Sequence, residues 1–334
     1  MSPDTVTAIA AWLVKSGLLG PQLSVLWHAG EPLAIPVATY RELMDTLERE
    51  LGGICRLRYR IQTNGILINA DWCDFLLKND IDVGISLDGP DFVHDFARKR
   101  RSAESTHSLV MRGVRLLQET GVKFRALVTV TSTVLQHRDA VLSFLQEAGI
   151  KDVAFNVETV LGIYETSTVS IHDLRDLREL LSDALSLHLS ARMNVREFTK
   201  TAWRLKNPKQ TASDLSTPGA VITIDTQGNA SFFSPELLGH SSPLYGDFAI
   251  GNVREKSYAE MIASERFQRI AEDIQRGVET CRSECGYFPF CGGASPANKY
   301  FENGTFRSTE TSFCRFHIQL PTDLILERLA PSTA

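Results

Sequence analysis

The chain has 334 residues, 43% of them hydrophobic and 22% charged, with a formal net charge of -5. That is globular composition, enough for one large domain and a smaller one, and the acidic balance leaves no basic surplus for nucleic acid or an anionic membrane. The opening MSPDTVTAIAAWLVKSGLL lacks a basic n-region and does not read as a signal peptide, and no apolar run is long enough to span a bilayer, so a cytoplasmic protein is expected. Ser2-Pro3 reads as a helix N-cap with proline in the first helical position, and this helix runs to Ser16, where Gly17 stops it. A buried strand is expected at 23–27, a helix at 36–51 ended by Gly52-Gly53, a strand at 57–62 closed by Thr63-Asn64-Gly65, and a helix at 70–78. A strand at 83–87 is closed by Asp88-Gly89-Pro90; helices at 105–119, 135–148 and 171–189 then alternate with strands at 123–130 and 153–157.

Strict alternation with connections of a few residues argues for a parallel sheet covered by helices, as a partial barrel or an open α/β sheet. Ligands in such folds sit at the carboxyl ends of the strands. The polar and glycine punctuation falls at those ends: residues 28–31, 62–65, 86–89, Thr129 and 156–158. After about residue 195 the alternation stops. Residues 206–218 are linker-like, 221–233 resemble a hairpin turning at Thr226-Gln227-Gly228-Asn229, 257–275 read as helix, and a short helix is expected near 323–329. The chain therefore divides into residues 1–195, a linker over 196–218 and a second domain over 219–334.

Four of the six cysteines, Cys281, Cys285, Cys291 and Cys314, fall in one segment with the spacing C-x3-C-x5-C-x22-C. Such clustering in a large cytoplasmic chain points to metal or iron–sulfur ligation rather than disulfides. Four thiolates satisfy a [4Fe–4S] cluster with one sulfur per iron, and Gly292-Gly293 permits tight backbone folding beside an inorganic core. A structural zinc uses the same four ligands, though its usual knuckle is C-x2-C, and buried free thiols are the bland alternative. Tyr287, Phe288 and Phe290 between the ligands read as shielding for the cluster. Cys55 and Cys73 show no ligand spacing and read as packing residues.

The stretch WHAGEP (27–32) looks like the GGEP motif of radical S-adenosylmethionine (SAM) enzymes, and QTNG, SLDGP and HDFAR follow in the order of the subgroup with a C-terminal SPASM domain. The segment CGGASPANKYFENGTFRSTETSFCR closely resembles the C-terminal part of Grr-type peptide maturases, which form three-residue cyclophanes in ribosomally made precursor peptides. The resemblance covers nearly the whole chain. It implies a partial (β/α)6 TIM-like barrel missing its first strand, followed by a small cysteine-rich SPASM domain. It also implies SAM contacts at Ala29, Gly30, Glu31, Asn64, Ser86 and Asp88, with Ala29 replacing the family's first glycine. Arg98 matches the arginine that pairs with the SAM carboxylate, a task suited to a guanidinium fork. Taken singly, each residue is also explained otherwise: Asp88-Gly89-Pro90 is a turn by default, and Arg98 opens a basic run with Lys99, Arg100 and Arg101. Asn156 and Glu158 end the last strand toward the expected cavity, and His28 is a packed or a functional histidine.

The resemblance has two gaps. Radical SAM chemistry needs C-x3-C-x2-C after the first barrel strand, and no such motif occurs in the chain. The expectation is that a first strand and cluster loop are missing ahead of Met1, leaving 23–27 as an exposed sheet edge. SAM and a second [4Fe–4S] cluster belong to the protein only if that segment is present. The stretch FFSPELLG has Ser234 where many SPASM domains carry a further cysteine, so one auxiliary cluster is expected. The leading expectation is a radical SAM/SPASM enzyme that joins an aromatic side chain to a β-carbon of a precursor peptide, served by an electron donor. The alternative is a non-catalytic peptide-binding paralogue holding one auxiliary cluster or a structural zinc.

Overall fold

The computed structural model describes residues 1–99, 102, 104–208 and 213–330. Helix α1 (Pro3–Ser16) starts where the Ser2 hydroxyl accepts the Thr5 N–H at 3.2 Å and ends on left-handed Gly17 at φ 72°. Strand β1 (Gln22–Trp27) follows, then α2 (Val37–Leu51), β2 (Arg56–Thr63), α3 (Ala70–Lys78), β3 (Asp82–Ser86), α4 (Asp91–Ala97) and α5 (His107–Thr120). The series continues with β4 (Phe124–Val130), α6 (Ser132–Gln136), α7 (Arg138–Glu147), β5 (Asp152–Val157), α8 (Leu174–Leu189), β6 (Asn194–Val195) and α9 (Arg196–Lys206).

The six strands form one sheet in the order β1-β2-β3-β4-β5-β6, and every pair is parallel. Its centre is buried and rich in β-branched residues: Val83, Ile85, Val128, Val130 and Val153 are closed off from solvent, as is Phe155. The sheet has one strand more than the five expected, because β6 is only two residues and leaves no periodic signal. Helix α4 was also not anticipated; its seven residues follow Pro90, which occupies the N-cap. Strand β1 pairs with β2 alone among the described residues, and its residues alternate between exposed and half-buried, with Leu26 half-exposed. It is an open edge.

The linker expectation for 196–218 needs correction at its start. Residues 196–206 form α9, whose Glu197, Phe198 and Thr201 are buried among mostly polar neighbours. The polar composition hid an amphipathic face. Residues 209–212 of that stretch, and Arg100 and Arg101 of the basic run, lie outside the described residues, as do 331–334.

The second body begins with β7 (Thr223–Ile224) and β8 (Asn229–Ser231), joined by the expected hairpin turn. Strands β9 (Ser241–Ser242) and β10 (Gly246–Asp247) pair with each other, and β11 (Gly251–Asn252) completes the sheet β11-β8-β7. Then come α10 (Tyr258–Ala263), α11 (Glu265–Glu284), α12 (Phe288–Cys291), α13 (Pro296–Asn303), a π-helical turn at Cys314–Gln319 and α14 (Leu320–Leu329). This body packs on the first at several places, and one hydrophobic core runs through both. Near the start of the chain, the Trp12 indole donates to the Lys256 carbonyl at 3.0 Å and Trp12 packs on Phe232 and Tyr258. At the far side, α14 packs on α8 and α9, with Arg178 paired to Glu327. Among the described residues no helix is long and apolar enough to cross a membrane.

Helix α11 lies tight against the segment after α13. A Cβ added at Gly277 would sit 2.1 Å from the Phe306 carbonyl oxygen. Gly277→Ala gains about 1 kcal/mol of helix propensity but forces backbone displacement costing about 1–3 kcal/mol. A lowered thermal midpoint is expected for this variant in calorimetry, whereas a surface glycine of a helix would be stabilised by the same change.

Candidate functional site

Parallel pairing brings the carboxyl ends of β1 to β5 to one edge of the sheet. At the end of β1 the chain turns through Ala29 at φ 66° and Gly30 at φ 61°, both left-handed and exposed. Glycine takes this geometry freely, while Ala29 holds it at a cost of about 1–2 kcal/mol. The two residues are followed by Glu31, whose carboxylate is fully occupied. Oε1 accepts the Thr63 hydroxyl at 2.6 Å and the Leu33 N–H at 3.0 Å, and Oε2 accepts the Asn64 N–H at 2.9 Å. Glu31 thus fastens the β1 loop to the β2 loop. The Asn64 side chain accepts the Ile66 N–H at 3.0 Å, an Asx turn that presents the loop. Ser86, at the end of β3, accepts from the Gln62 amide at 3.3 Å.

Asp88 is 3% exposed and is the centre of a buried network. Arg98 Nε donates to its Oδ2 at 2.5 Å and Arg98 Nη2 to Oδ1 at 3.2 Å, while the Thr129 N–H reaches Oδ1 at 2.8 Å. Arg98 Nη2 also donates to the Thr129 hydroxyl at 2.9 Å, which joins the loops after β3 and β4. Asp88 and Arg98 were expected to face a ligand; the structure joins them to each other, with Arg98 still partly exposed at the edge. Behind them sits buried His94, which sequence reading did not single out. The Asp88 N–H donates to His94 Nδ1 at 3.3 Å, so the proton is on Nε2, which faces the Thr106 hydroxyl at 3.2 Å. That hydroxyl donates in turn to the Arg98 carbonyl at 2.7 Å.

At the end of β5, Asn156 accepts from Arg196 at 2.6 Å, and Glu158 binds the Thr168 N–H and hydroxyl at 2.7 and 2.5 Å. The second body reaches this same edge. The Asn298 amide donates to the Thr159 hydroxyl at 3.0 Å, and His317 Nε2 lies 3.2 Å from the Val157 carbonyl, acting as its donor. Burial pushes His317 down to about 4 from its ordinary value, which keeps it neutral in this contact. His28 is exposed rather than packed.

The four clustered cysteines are free thiols on three pieces of the second body. Cys281 is buried on α11, Cys285 caps that helix, Cys291 ends α12 and Cys314 opens the π-helical turn. Among the described residues no three His, Cys, Asp or Glu side chains stand close enough together to hold a metal ion. The surroundings nevertheless fit a thiolate cluster. Burial pushes the Cys291 thiol up to about 11 and the neighbouring Cys314 and Cys281 push it the same way, while the N–H groups of Gly293 and Ala294 are aimed at it and act in the opposite sense. Cys314 Sγ is 3.3 Å from the Thr311 hydroxyl, and Cys281 Sγ is 3.2 Å from the Lys299 ammonium. Donors directed at sulfur favour the thiolate that ligates iron or zinc. The backbone that makes this possible includes Gly293 at φ 105°, where a Cβ would lie 2.8 Å from Val278. The expected shielding aromatics are split in role: Phe288 is buried under Arg282, and the Tyr287 hydroxyl donates to Asp323 at 2.7 Å. Cys55 and Cys73 are buried in the core of the first body. Ser234 is fully buried, and its hydroxyl has no partner among the described residues.

The fold matches that of a sulfatase-maturating enzyme solved as native anSMEcpe with bound AdoMet, with a TM-score of 0.81 and 20% identity over 98% of this chain and 88% of that one. It also matches Streptococcus suis SuiB bound to S-adenosylmethionine, with a TM-score of 0.57 and 18% identity over 94% of this chain and 70% of that one. In sequence the chain is 23% identical over 300 residues to the serine-type anaerobic sulfatase-maturating enzyme of Bacteroides thetaiotaomicron, covering 84% of this chain and 70% of the enzyme. These make the chain a homologue of radical SAM maturases. No family model matches it. It is 37% identical over 346 residues to the uncharacterized protein sll1766 of Synechocystis sp., covering 98% of this chain and 85% of that protein, and it belongs to the sll1766 family.

Burial pushes His94 down to about 4, below its ordinary value of 6.5. Protonation would set an Nδ1–H against the Asp88 N–H. A depressed histidine contributes stability that is present above the unfolded value and lost as pH falls toward the folded one. The thermal midpoint of the wild type is therefore expected to fall between pH 6.5 and 4, and His94→Asn, whose amide oxygen can still accept from Asp88, should show a shallower fall over the same interval.

Proposed function

We propose that the chain serves a radical SAM/SPASM peptide maturase whose product is a cyclophane, with an aromatic side-chain carbon joined to a β-carbon in a ribosomally made precursor peptide. The observation that carries this reading is the placement of five ordered motifs. WHAGEP, QTNG, SLDGP and HDFAR fall at the carboxyl edge of the parallel sheet, and the Grr-like cysteine segment meets the same edge through Asn298 on Thr159, with His317 just beyond it on Val157. A peptide partner is supported by the relatives: one anSMEcpe structure is titled with a bound Kp18Cys peptide and one SuiB structure with the precursor peptide SuiA. Strand order in sequence from β1 to β6 supports reading residues 1–195 as a partial (β/α)6 barrel, with 219–334 as the SPASM domain.

In this reading Ala29, Gly30, Glu31, Asn64, Ser86, Asp88 and Arg98 form the SAM site. Ala29 and Gly30 offer exposed main chain. Glu31 fixes that main chain against Asn64. Asp88 and Thr129 orient the Arg98 fork toward a carboxylate. Cys281, Cys285, Cys291 and Cys314 would hold one auxiliary [4Fe–4S] cluster, which supplies one-electron transfer when bound. A cytoplasmic electron donor completes the system. The residues present do not fit the SAM-binding cluster, since the 334 residues contain no C-x3-C-x2-C. No radical step is derived through it, and the second reading is a peptide-binding protein with the auxiliary cluster alone.

Two measurements test these readings. Protein prepared without oxygen should contain about four irons and four sulfides per chain, with the count collapsing in Cys281→Ser; zinc without sulfide would replace the cluster by a structural metal. Protein of these 334 residues, reduced with dithionite, should release no 5'-deoxyadenosine from SAM above background. Steady release would show that the chain generates the radical unaided and would remove the second reading.

A further inference from the structure

Lys299 is 2% exposed and ranks among the largest fully buried side chains of the protein. A lone ammonium in such a place costs several kcal/mol unless an anion answers it. Among the described residues no carboxylate forms an ion pair with Lys299. Its Nζ donates to the Gly277 carbonyl at 3.0 Å and to Cys281 Sγ at 3.2 Å. Gly277 and Cys281 stand one turn apart on α11, so the ammonium ties α13 to that turn and ends on a cysteine of the cluster segment. The turn is locked from the other side by the Phe306 carbonyl pressed on Gly277. Among the described residues the groups that answer the charge are cysteine sulfurs: Cys281, in direct contact, and Cys314, which interacts with it electrostatically.

We propose that Lys299 is a positioning residue for the auxiliary iron–sulfur site: its buried ammonium holds Cys281 as a ligand and raises the reduction potential of the cluster. The inference rests on the iron–sulfur reading of the four cysteines. A cluster ligated by four thiolates is a net anion, and reduction adds one more negative charge. A fixed positive charge beside one ligand sulfur therefore stabilises the reduced form more than the oxidised form. The low local dielectric strengthens the effect. A neutral side chain of similar length keeps the packing and loses the charge.

The test compares wild type, Lys299→Met, Lys299→Gln and Lys299→Arg as full chains reconstituted without oxygen. Iron and sulfide are counted, and the reduced fraction is followed by electron paramagnetic resonance against solution potential. At the wild-type midpoint, the reduced-to-oxidised ratio should fall about tenfold in Lys299→Met and Lys299→Gln, about 59 mV for one electron, and stay near wild type in Lys299→Arg. Loss of iron from Met and Gln but not from Arg would equally support a charge requirement. The proposal is overturned if Met or Gln keeps its iron with an unchanged ratio, or if Arg loses iron together with the neutral variants. Zinc without sulfide in the wild type overturns the iron–sulfur reading itself, an outcome distinct from an iron-loaded protein whose potential ignores residue 299.

Discussion

Parallel pairing is the constraint on which the rest of the molecule depends. Two parallel strands cannot be joined by a tight turn, so each connection from β1 to β6 must cross the sheet and return. With strands in chain order, every loop that leaves a carboxyl end emerges on one side. Glu31, Asn64, Ser86, Asp88, Thr129 and Asn156 are far apart in sequence and neighbours for this reason alone. No single loop could assemble them. What each loop adds is a fastening to the next: Glu31 ties the first to the second, Gln62 reaches Ser86, and Asp88 with Arg98 and Thr129 ties the third to the fourth.

These fastenings explain why carboxylates that resemble ligand contacts are already occupied. Asp88 is almost wholly buried, and an unpaired carboxylate there would cost several kcal/mol. The guanidinium beside it and the Thr129 N–H remove that cost. The result is a rigid edge whose exposed features are main chain at Ala29 and Gly30 and the outer part of Arg98.

Most of the first body was legible in the sequence because its elements are long and their apolar periods clean. The match is closest at α3, where Asn69 caps the helix and the expected 70–78 is the observed span. The misses are physical. Strand β6 has two residues, too few for any period. Helix α9 was hidden by its polar composition, since only one stripe of it is buried. The candidate site was legible as a set of residues but not as a set of contacts. Sequence shows that Asp88 and Arg98 both belong to the edge; that they bind each other follows from a ten-residue separation spanned by a short helix, which no pattern reveals. His94 and Asn298 carry no signal beyond their presence in the quoted motifs, and His317 lies outside all of them. Lys299 is the extreme case, because a lysine in a stretch reading PANKYFEN is expected in solvent.

The buried lysine also changes how the cysteine segment should be weighed. Four free thiols would need no charge near them, and their burial alone disfavours the thiolate, as the raised values of Cys291 and Cys314 show. Yet the chain places an ammonium on Cys281, a hydroxyl on Cys314 and two main-chain N–H groups on Cys291. Cys73 in the first body, by comparison, has a single hydroxyl partner, that of Thr120. The donors around the second body's cysteines sit on α13 and the adjoining turns, and Asn298 and His317 carry that part of the chain to the sheet edge.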